Sequence, residues 1–314
     1  MASAPQPDGR DTAPFHPPKR LLDALSDAPD GPVRSWLEAL PDTVVHLLDA
    51  WELTPERVVT PGGRGSLVAL VREADGTPAA LKLPVPGPGA ERERAALAHW
   101  DGWGAARLLR ADPSTGALLI ERLSSAVSVR SLPEAKALLE AAGTVRRLWV
   151  PPPDEHPFGT VAERTGEGHA VEPLLPTGSW AAEARPLVEE AVELRAELLA
   201  EPPETVLLHG DFRQGKVLAG ERAPWLTVGP APLVGERAYD LAQLVLDRCE
   251  DLAAGPGPAA AARRRVAKLA DSLDVDRDRL RGWTLYRAVE TGLHRARTGD
   301  RSRAELLLEF AGWL

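Results

Sequence analysis

The sequence predicts an α+β chain in two parts: an amino-terminal part built on an antiparallel sheet, and a mainly helical carboxy-terminal part. Three observations carry this. Apolar residues recur at helical spacing as far as Trp51, then form short runs broken by glycine turns up to Arg122, and return to helical spacing after Leu123. The 314 residues suffice for a sizeable core, and 44% hydrophobic with 26% charged residues is the composition of a folded chain.

Residues 1–18 are rich in Pro, Ala and Asp, lack periodicity, and read as a flexible tail. Helical patterns follow at Leu21, Leu22 and Leu25, at Val33, Trp36, Leu37 and Leu40, and at Val44, Val45, Leu47, Leu48 and Trp51. Arg57-Val58-Val59-Thr60 then leads through Pro61-Gly62-Gly63-Arg64-Gly65-Ser66 into Leu67-Val68-Ala69-Leu70-Val71. The turn Asp75-Gly76 separates this run from Ala79-Ala80-Leu81-Lys82-Leu83, which gives three antiparallel strands with a glycine-rich first turn. A helix is expected from about Ala90 to His99, because Glu91 to Leu97 are strong helix formers. Two further strands, around Leu108 and Leu119, flank the turn Asp112-Pro113-Ser114-Thr115-Gly116.

Beyond Leu123, helices are expected at about Pro133 to Trp149, Ala181 to Leu199, Arg237 to Ala253, Ala259 to Leu273, Asp276 to Thr298 and Arg303 to Trp313. Short apolar runs at Val206-Leu207-Leu208, Lys216-Val217-Leu218 and Leu226-Thr227-Val228 suit small strands. The stretch from Pro151 to Trp180, rich in Pro and Gly, is longer than ordinary connections and reads as functional or mobile. Glu163, Glu167 and Glu172 within it are candidates for facing a cationic ligand, although solvated loop carboxylates are commoner. The domain reading is therefore a tail over 1–18, a sheet-bearing part with its amino-terminal helices over 19–123, and a helical part over 124–314.

A net charge of -9 argues against a nucleic-acid surface, and Arg263-Arg264-Arg265 reads as a solvated helix face. The single Cys249 excludes an intrachain disulfide and reads as a buried inert thiol. His156 and His169 lack metal-ligand spacing, so no zinc site is expected. Trp36, Trp51, Trp100, Trp149, Trp283 and Trp313 fall in apolar helical patterns and are expected in the core. No run approaches the roughly 18 apolar residues of a membrane span, and no leader pattern is visible. The expected location is the cytoplasm.

The chemistry lies in Leu207-Leu208-His209-Gly210-Asp211-Phe212-Arg213-Gln214-Gly215-Lys216-Val217-Leu218, read with Trp225-Leu226-Thr227-Val228-Gly229-Pro230. This has the outline of a kinase catalytic loop followed by a metal-binding strand end. In kinases an Asp accepts the proton of the attacking hydroxyl, an Asn five residues on holds magnesium, and a second Asp follows downstream. Asp211 stands at the first position, Lys216 at the Asn position and Gly229 near the second Asp. Upstream, the glycine turn with Gly62, Gly63, Gly65 and Ser66 suits backbone N–H groups closing over phosphates. Lys82 suits contact with the α- and β-phosphates, held by Glu93 on the helix, and Glu121, Arg122 and Leu123 offer hinge backbone to an adenine edge. Asp240, at a helix start, is placed to cap N–H groups or brace the loop.

On these residues the chain resembles the aminoglycoside phosphotransferase superfamily, and within it the streptomycin 6-phosphotransferase and hydroxyurea phosphotransferase branch. The resemblance runs from about Trp51 onward. It is carried by Ala80-Leu81-Lys82-Leu83, by Trp100-Asp101-Gly102-Trp103-Gly104-Ala105-Ala106-Arg107-Leu108-Leu109, and by Leu118-Leu119-Ile120-Glu121-Arg122-Leu123. Further on it is carried by Leu208-His209-Gly210-Asp211, Gly215-Lys216-Val217-Leu218 and Pro232-Leu233-Val234-Gly235-Glu236-Arg237-Ala238-Tyr239-Asp240-Leu241-Ala242. It implies a two-lobed protein-kinase-like fold, with Lys82 and Glu93 as a nucleotide-clamping pair and Asp211 as base. It also implies that active members carry Asn at the position of Lys216 and Asp at that of Gly229.

The expectation is a pseudokinase impaired in magnesium-dependent phosphoryl transfer, with Lys216 as metal surrogate and no bound metal. It would act by binding a ligand or a protein partner: ATP without magnesium, a small cationic ligand, or no cofactor at all. The alternative is an active or weakly active ATP-dependent small-molecule O-phosphotransferase using Asp211 as base. Neither nucleic acid nor membrane is an expected partner.

Overall fold

The computed structural model describes residues 15–26, 31–166, 170–175 and 179–314. The chain divides into two compact units, one of Met1–Glu91 with Leu108–Arg122 and one of Arg92–Arg107 with Leu123–Leu314. Residues 1–14 of the expected tail, with Glu167 and His169, lie outside the described residues, as does the side chain of Glu172.

In the smaller unit, α1 (Lys19–Ala24) and α2 (Pro32–Ala50) precede β1 (Thr54–Val58), β2 (Ser66–Arg72) and β3 (Pro78–Pro84). Helix α3 (Pro88–Trp100) follows, and then β4 (Leu108–Asp112) and β5 (Ala117–Glu121). The two helical patterns expected between Val33 and Trp51 are one helix, which begins with Pro32 at its first turn and continues through Pro41. Leu40, Val44, Leu47 and Leu48 form its buried stripe. Sheet order is β1-β2-β3-β5-β4, antiparallel throughout. Alternate strand residues Leu67, Ala69, Val71, Ala79, Leu81 and Leu83 pack with the α2 stripe and Phe15 in one core. Strand periodicity therefore turns Lys82, whose neighbours in the sheet are Val68 and Leu118, to the opposite face.

In the larger unit, β6 (Ser124–Ser128), α4 (Glu134–Leu148), β7 (Gly159–Thr160), α5 (Val161–Thr165) and α6 (Ser179–Ala200) come first. Strands β8 (Val206–Leu208), β9 (Val217–Ala219), β10 (Trp225–Thr227) and β11 (Leu233–Gly235) follow. Five helices close the chain: α7 (Arg237–Leu246), α8 (Cys249–Ala253), α9 (Pro258–Leu273), α10 (Arg277–Arg297) and α11 (Arg301–Gly312). The strands make two small sheets, β10-β9-β6 and β7-β11-β8, the β7–β11 pair being parallel. Trp283 of α10, fully buried, meets Tyr239 and Tyr286 edge-on. Its indole N–H donates to Glu236 at 2.6 Å, a carboxylate also gripped by Arg279.

Four local expectations change. Of Arg263-Arg264-Arg265, read as a solvated helix face, Arg265 is buried and donates to the Val245 and Asp247 carbonyls. The helix read as continuous from Arg237 to Ala253 is broken, with Asp247 extended and Arg248 left-handed at φ 56°. The stretch after Pro151 holds β7 and α5, and Glu163 serves as a cap there: Thr160 Oγ1 accepts from the Glu163 N–H and Glu163 Oε2 accepts from the Thr160 N–H. Of the six tryptophans expected in the core, Trp100 and Trp283 are fully buried and the other four are half-buried. Among the described residues, no helix is long and apolar enough to cross a membrane.

Candidate active site

The loop leaving β8 is fixed by contacts that begin with glycine. Gly210 has φ 78°, and a Cβ there would lie 1.9 Å from the carbonyl oxygen of Ala231, so no side chain fits. That close approach exists because the Ala231 N–H donates to the His209 carbonyl at 2.8 Å. Asp240, on the first turn of α7, braces the loop from beneath. Its Oδ2 accepts from the His209 N–H at 2.7 Å and its Oδ1 from the Gly210 N–H at 2.8 Å, with the Trp149 indole N–H 3.3 Å from Oδ2. Burial pushes the Asp240 carboxyl above its ordinary range, and the amide bonds work against that push. Of the two structural roles expected for Asp240, bracing the loop is the one observed.

His209 is fully buried. Its Nδ1 accepts from the Asp211 N–H at 3.3 Å, which puts the ring proton on Nε2, 3.3 Å from the Val228 carbonyl. Burial, reinforced by the Lys216 charge, drives its pKa down to about 3, so the imidazole is neutral.

Beyond Arg213 the chain makes one tight turn, Gln214–Lys216, and enters β9. The Lys216 carbonyl accepts from the Val228 N–H at 3.0 Å, which fixes the lysine backbone against the end of β10. Its ammonium donates to the Gly229 carbonyl at 2.6 Å and forms an ion pair with Oδ2 of Asp211. Arg213 Nη2 lies 3.4 Å from the same carboxylate oxygen. Burial opposes ionisation of Asp211, but the charges of Lys216 and then Arg213 outweigh it and hold the carboxyl below its usual range. Gly229 is left-handed at φ 61°, and a Cβ there would stand 3.8 Å from the Lys216 ammonium in ordinary van der Waals contact. Asp211, Lys216 and Gly229 thus converge on one point, where two cations face one carboxylate.

The remaining sequence-predicted residues fall in both units. Gly62, Gly63 and Gly65 form the turn between β1 and β2; Gly62 is left-handed at φ 70° and the Cβ position of Gly65 faces open space. Ser66 opens β2 and is buried. Lys82 lies in β3 and Glu121 ends β5, both half-buried in the smaller unit. Glu93 is buried on α3 within the larger unit, where Leu123 packs with Ala106 and Leu226. Among the described residues, no group of three or more His, Cys, Asp or Glu side chains is placed to hold a metal ion. Sequence reasoning missed Asp247, whose Oδ2 accepts from the Gln214 N–H at 2.7 Å. A charged residue inside an uninterrupted helical pattern gives no signal of that role.

Residues 50–299 match the family model described as "Aminoglycoside/hydroxyurea antibiotic resistance kinase". The chain is 34% identical to a streptomycin 6-kinase of Streptomyces glaucescens, over 83% of this chain and 84% of that protein. It is 36% identical to a hydroxyurea phosphotransferase of Kitasatospora aureofaciens, over 89% of this chain and 82% of the relative. Among solved structures, a thermostable mutant of aminoglycoside phosphotransferase APH(4)-Ia in ternary complex with ADP and hygromycin B aligns with a TM-score of 0.59. The alignment covers 85% of this chain and 96% of that one at 16% identity, a likeness of fold. With a matched segment of that extent and relatives aligned over most of their length, the chain belongs to the aminoglycoside/hydroxyurea antibiotic resistance kinase family.

Proposed function

We propose that this member of the family is a pseudokinase, in which Lys216 occupies the place of a divalent ion and the site acts by binding rather than by magnesium-dependent phosphoryl transfer. The observation that carries the reading is the Lys216 ammonium, which donates to Gly229 O at 2.6 Å and is paired with Asp211. A metal ion there would have to displace a cation already bound to both oxygens, and glycine at position 229 offers no carboxylate to receive it. These residues do not fit magnesium. In phosphoryl transfer one well-placed charge on the migrating group is worth about 10³–10⁵ in rate, so loss of the metal site is expected to be severe.

The ligand favoured is ATP without magnesium. An ammonium and a phosphate oxygen about 4 Å apart at an effective dielectric of about 20 attract by ~4 kcal/mol before desolvation. The nucleotide contacts proposed within the smaller unit are Lys82, the turn of Gly62, Gly63, Gly65 and Ser66, and the backbone at Glu121; those proposed within the larger unit are Glu93 and the backbone at Leu123. A small cationic ligand or a protein partner belongs to the same binding reading.

Thermal unfolding with ATP tests it. The expected result is stabilisation as large in EDTA as with magnesium, and its loss in Lys216→Met. Stabilisation that requires magnesium would end the reading, and a flat response to every nucleotide would leave only the forms that bind a small cation or a protein partner. A second reading, a weak O-phosphotransferase, is favoured by the retained Asp211, whose side chain keeps 35% exposure. Turnover of ATP with streptomycin or hydroxyurea, abolished in Asp211→Ala, would establish it.

A further inference from the structure

We infer that Asp247 is a positioning residue for Lys216, acting through the backbone N–H of Gln214. The inference deepens the metal-surrogate reading, because it concerns what aims the ammonium.

The turn Gln214–Lys216 has two anchors. On its exit side the Lys216 carbonyl accepts from the Val228 N–H and, at 3.2 Å, from the Thr227 hydroxyl. On its entry side Asp247 Oδ2 accepts from the Gln214 N–H at 2.7 Å. The Gln214 side chain adds no hold of its own: it is fully buried, and among the described residues its amide has no hydrogen-bond partner. The entry anchor is therefore one charge-assisted bond from a residue thirty-three positions downstream.

The larger unit is shaped to deliver that bond. A continuous helix through Leu246 and Cys249 suits the sequence, yet the chain leaves helical geometry at Asp247 and takes a left-handed conformation at Arg248. Such a conformation is strained for a non-glycine residue. The break is itself secured. Arg130 Nη1 donates to Asp247 Oδ1 at 2.9 Å, and Arg265 Nη1 donates to the carbonyl of Asp247 at 2.7 Å. Arg130 also reaches Glu250, which pairs with Arg303 of α11. Both Asp247 oxygens are thus occupied, one by the cation that orients the carboxylate and one by the turn beneath Lys216.

The test reads the lysine itself, with neither nucleotide nor metal present, so it can fail while the metal-surrogate reading stands, and the converse. The chain has five lysines, and reductive methylation with ¹³C-formaldehyde gives each a resolvable NMR signal; Lys216→Met assigns one of them. In the native protein the Lys216 amine, 19% exposed and paired, is expected to react slowly beside Lys19 at 86%. Asp247→Ala is expected to raise the Lys216 rate about tenfold, as loss of one charge-assisted anchor allows, with Lys136 and Lys268 unchanged. Asp247→Asn, which keeps an acceptor for the Gln214 N–H, is expected to stay near the native rate. Should Asp247→Ala fail to fold, Gln214→Pro removes the donor instead. Arg213 is extended at φ -156° and ψ 157°, as a residue before proline must be, so that variant fits the backbone. A native Lys216 rate in Asp247→Ala, or in Gln214→Pro where Asp247→Ala does not fold, would overturn the inference. Equal acceleration in Asp247→Asn and Asp247→Ala would also overturn it, by assigning the anchor to the Arg130 ion pair.

Discussion

Two glycines of the loop do different work, and substitutions separate them. At Gly210 a Cβ would overlap the Ala231 carbonyl at 1.9 Å, whereas at Gly229 it would stand 3.8 Å from the nearest atom. Gly210→Ala is therefore expected to lose more than about 3 kcal/mol in urea unfolding, from left-handed strain and a backbone clash that cannot relax cheaply. Gly229→Ala is expected to lose only about 1 kcal/mol, the strain alone. His209 supplies a pH dependence. Its pKa falls from about 6.5 in the unfolded chain to about 3 in the folded one, so its contribution to stability is complete above pH 6.5. As pH drops from 6.5 toward 3 the unfolded state binds one more proton, which steepens the loss by about 1.4 kcal/mol per pH unit. Asp211, a depressed carboxylate, pulls in the same direction at lower pH. His209→Gln is expected to flatten the stability profile between pH 6 and 4 in parallel urea titrations; an unchanged profile would show that the imidazole is protonated in the native state.

At the scale of elements, α5 makes a direct stability prediction. Thr160→Ala removes the hydroxyl that accepts the Glu163 N–H and is expected to cost about 1 kcal/mol in chemical denaturation. Glu163→Ala is expected to cost a comparable amount, as a capping role requires and a ligand-facing role does not. The Thr-x-x-Glu signature was present in the sequence, but it lay inside a stretch read as a loop. Other boundaries were hidden for physical reasons. The break at Asp247 is enforced by bonds to Gln214, Arg130 and Arg265, residues distant in sequence, and nothing local announces it. Strand β11 is three residues long and owes its existence to pairing with β8 and β7, which periodicity cannot register. The long helices and the strands of the smaller sheet were legible because their apolar spacing sustains a single period. The convergence of Asp211, Lys216 and Gly229 was legible for another reason: the three stand where a kinase catalytic loop and the strand end after it carry Asp, Asn and Asp.

At the scale of the whole molecule, the order of glycine turn, strand lysine, helix glutamate and His-Gly-Asp loop was enough to point to the fold, and the family match bears that out. What the sequence left open was whether the ammonium at position 216 stands in for the metal against a nucleotide phosphate or pairs with Asp211 and fills the phosphate site. The geometry places it on Asp211 and Gly229. On the proposed reading, the metal requirement depends on these two positions. In the double variant Lys216→Asn/Gly229→Asp the ammonium is gone, the left-handed backbone at 229 tolerates aspartate better than most residues, and the new Cβ meets no close neighbour. Two oxygen ligands then replace a cation and a glycine, the exchange that suits a hard divalent ion. The double variant is expected to convert ATP stabilisation from magnesium-indifferent to magnesium-dependent in thermal unfolding. Each single variant is expected to fall short: Lys216→Asn lacks the carboxylate, and Gly229→Asp pairs its new carboxylate with the lysine that remains. A double variant whose response to ATP ignores magnesium would mean that the metal requirement was lost through more than these two side chains.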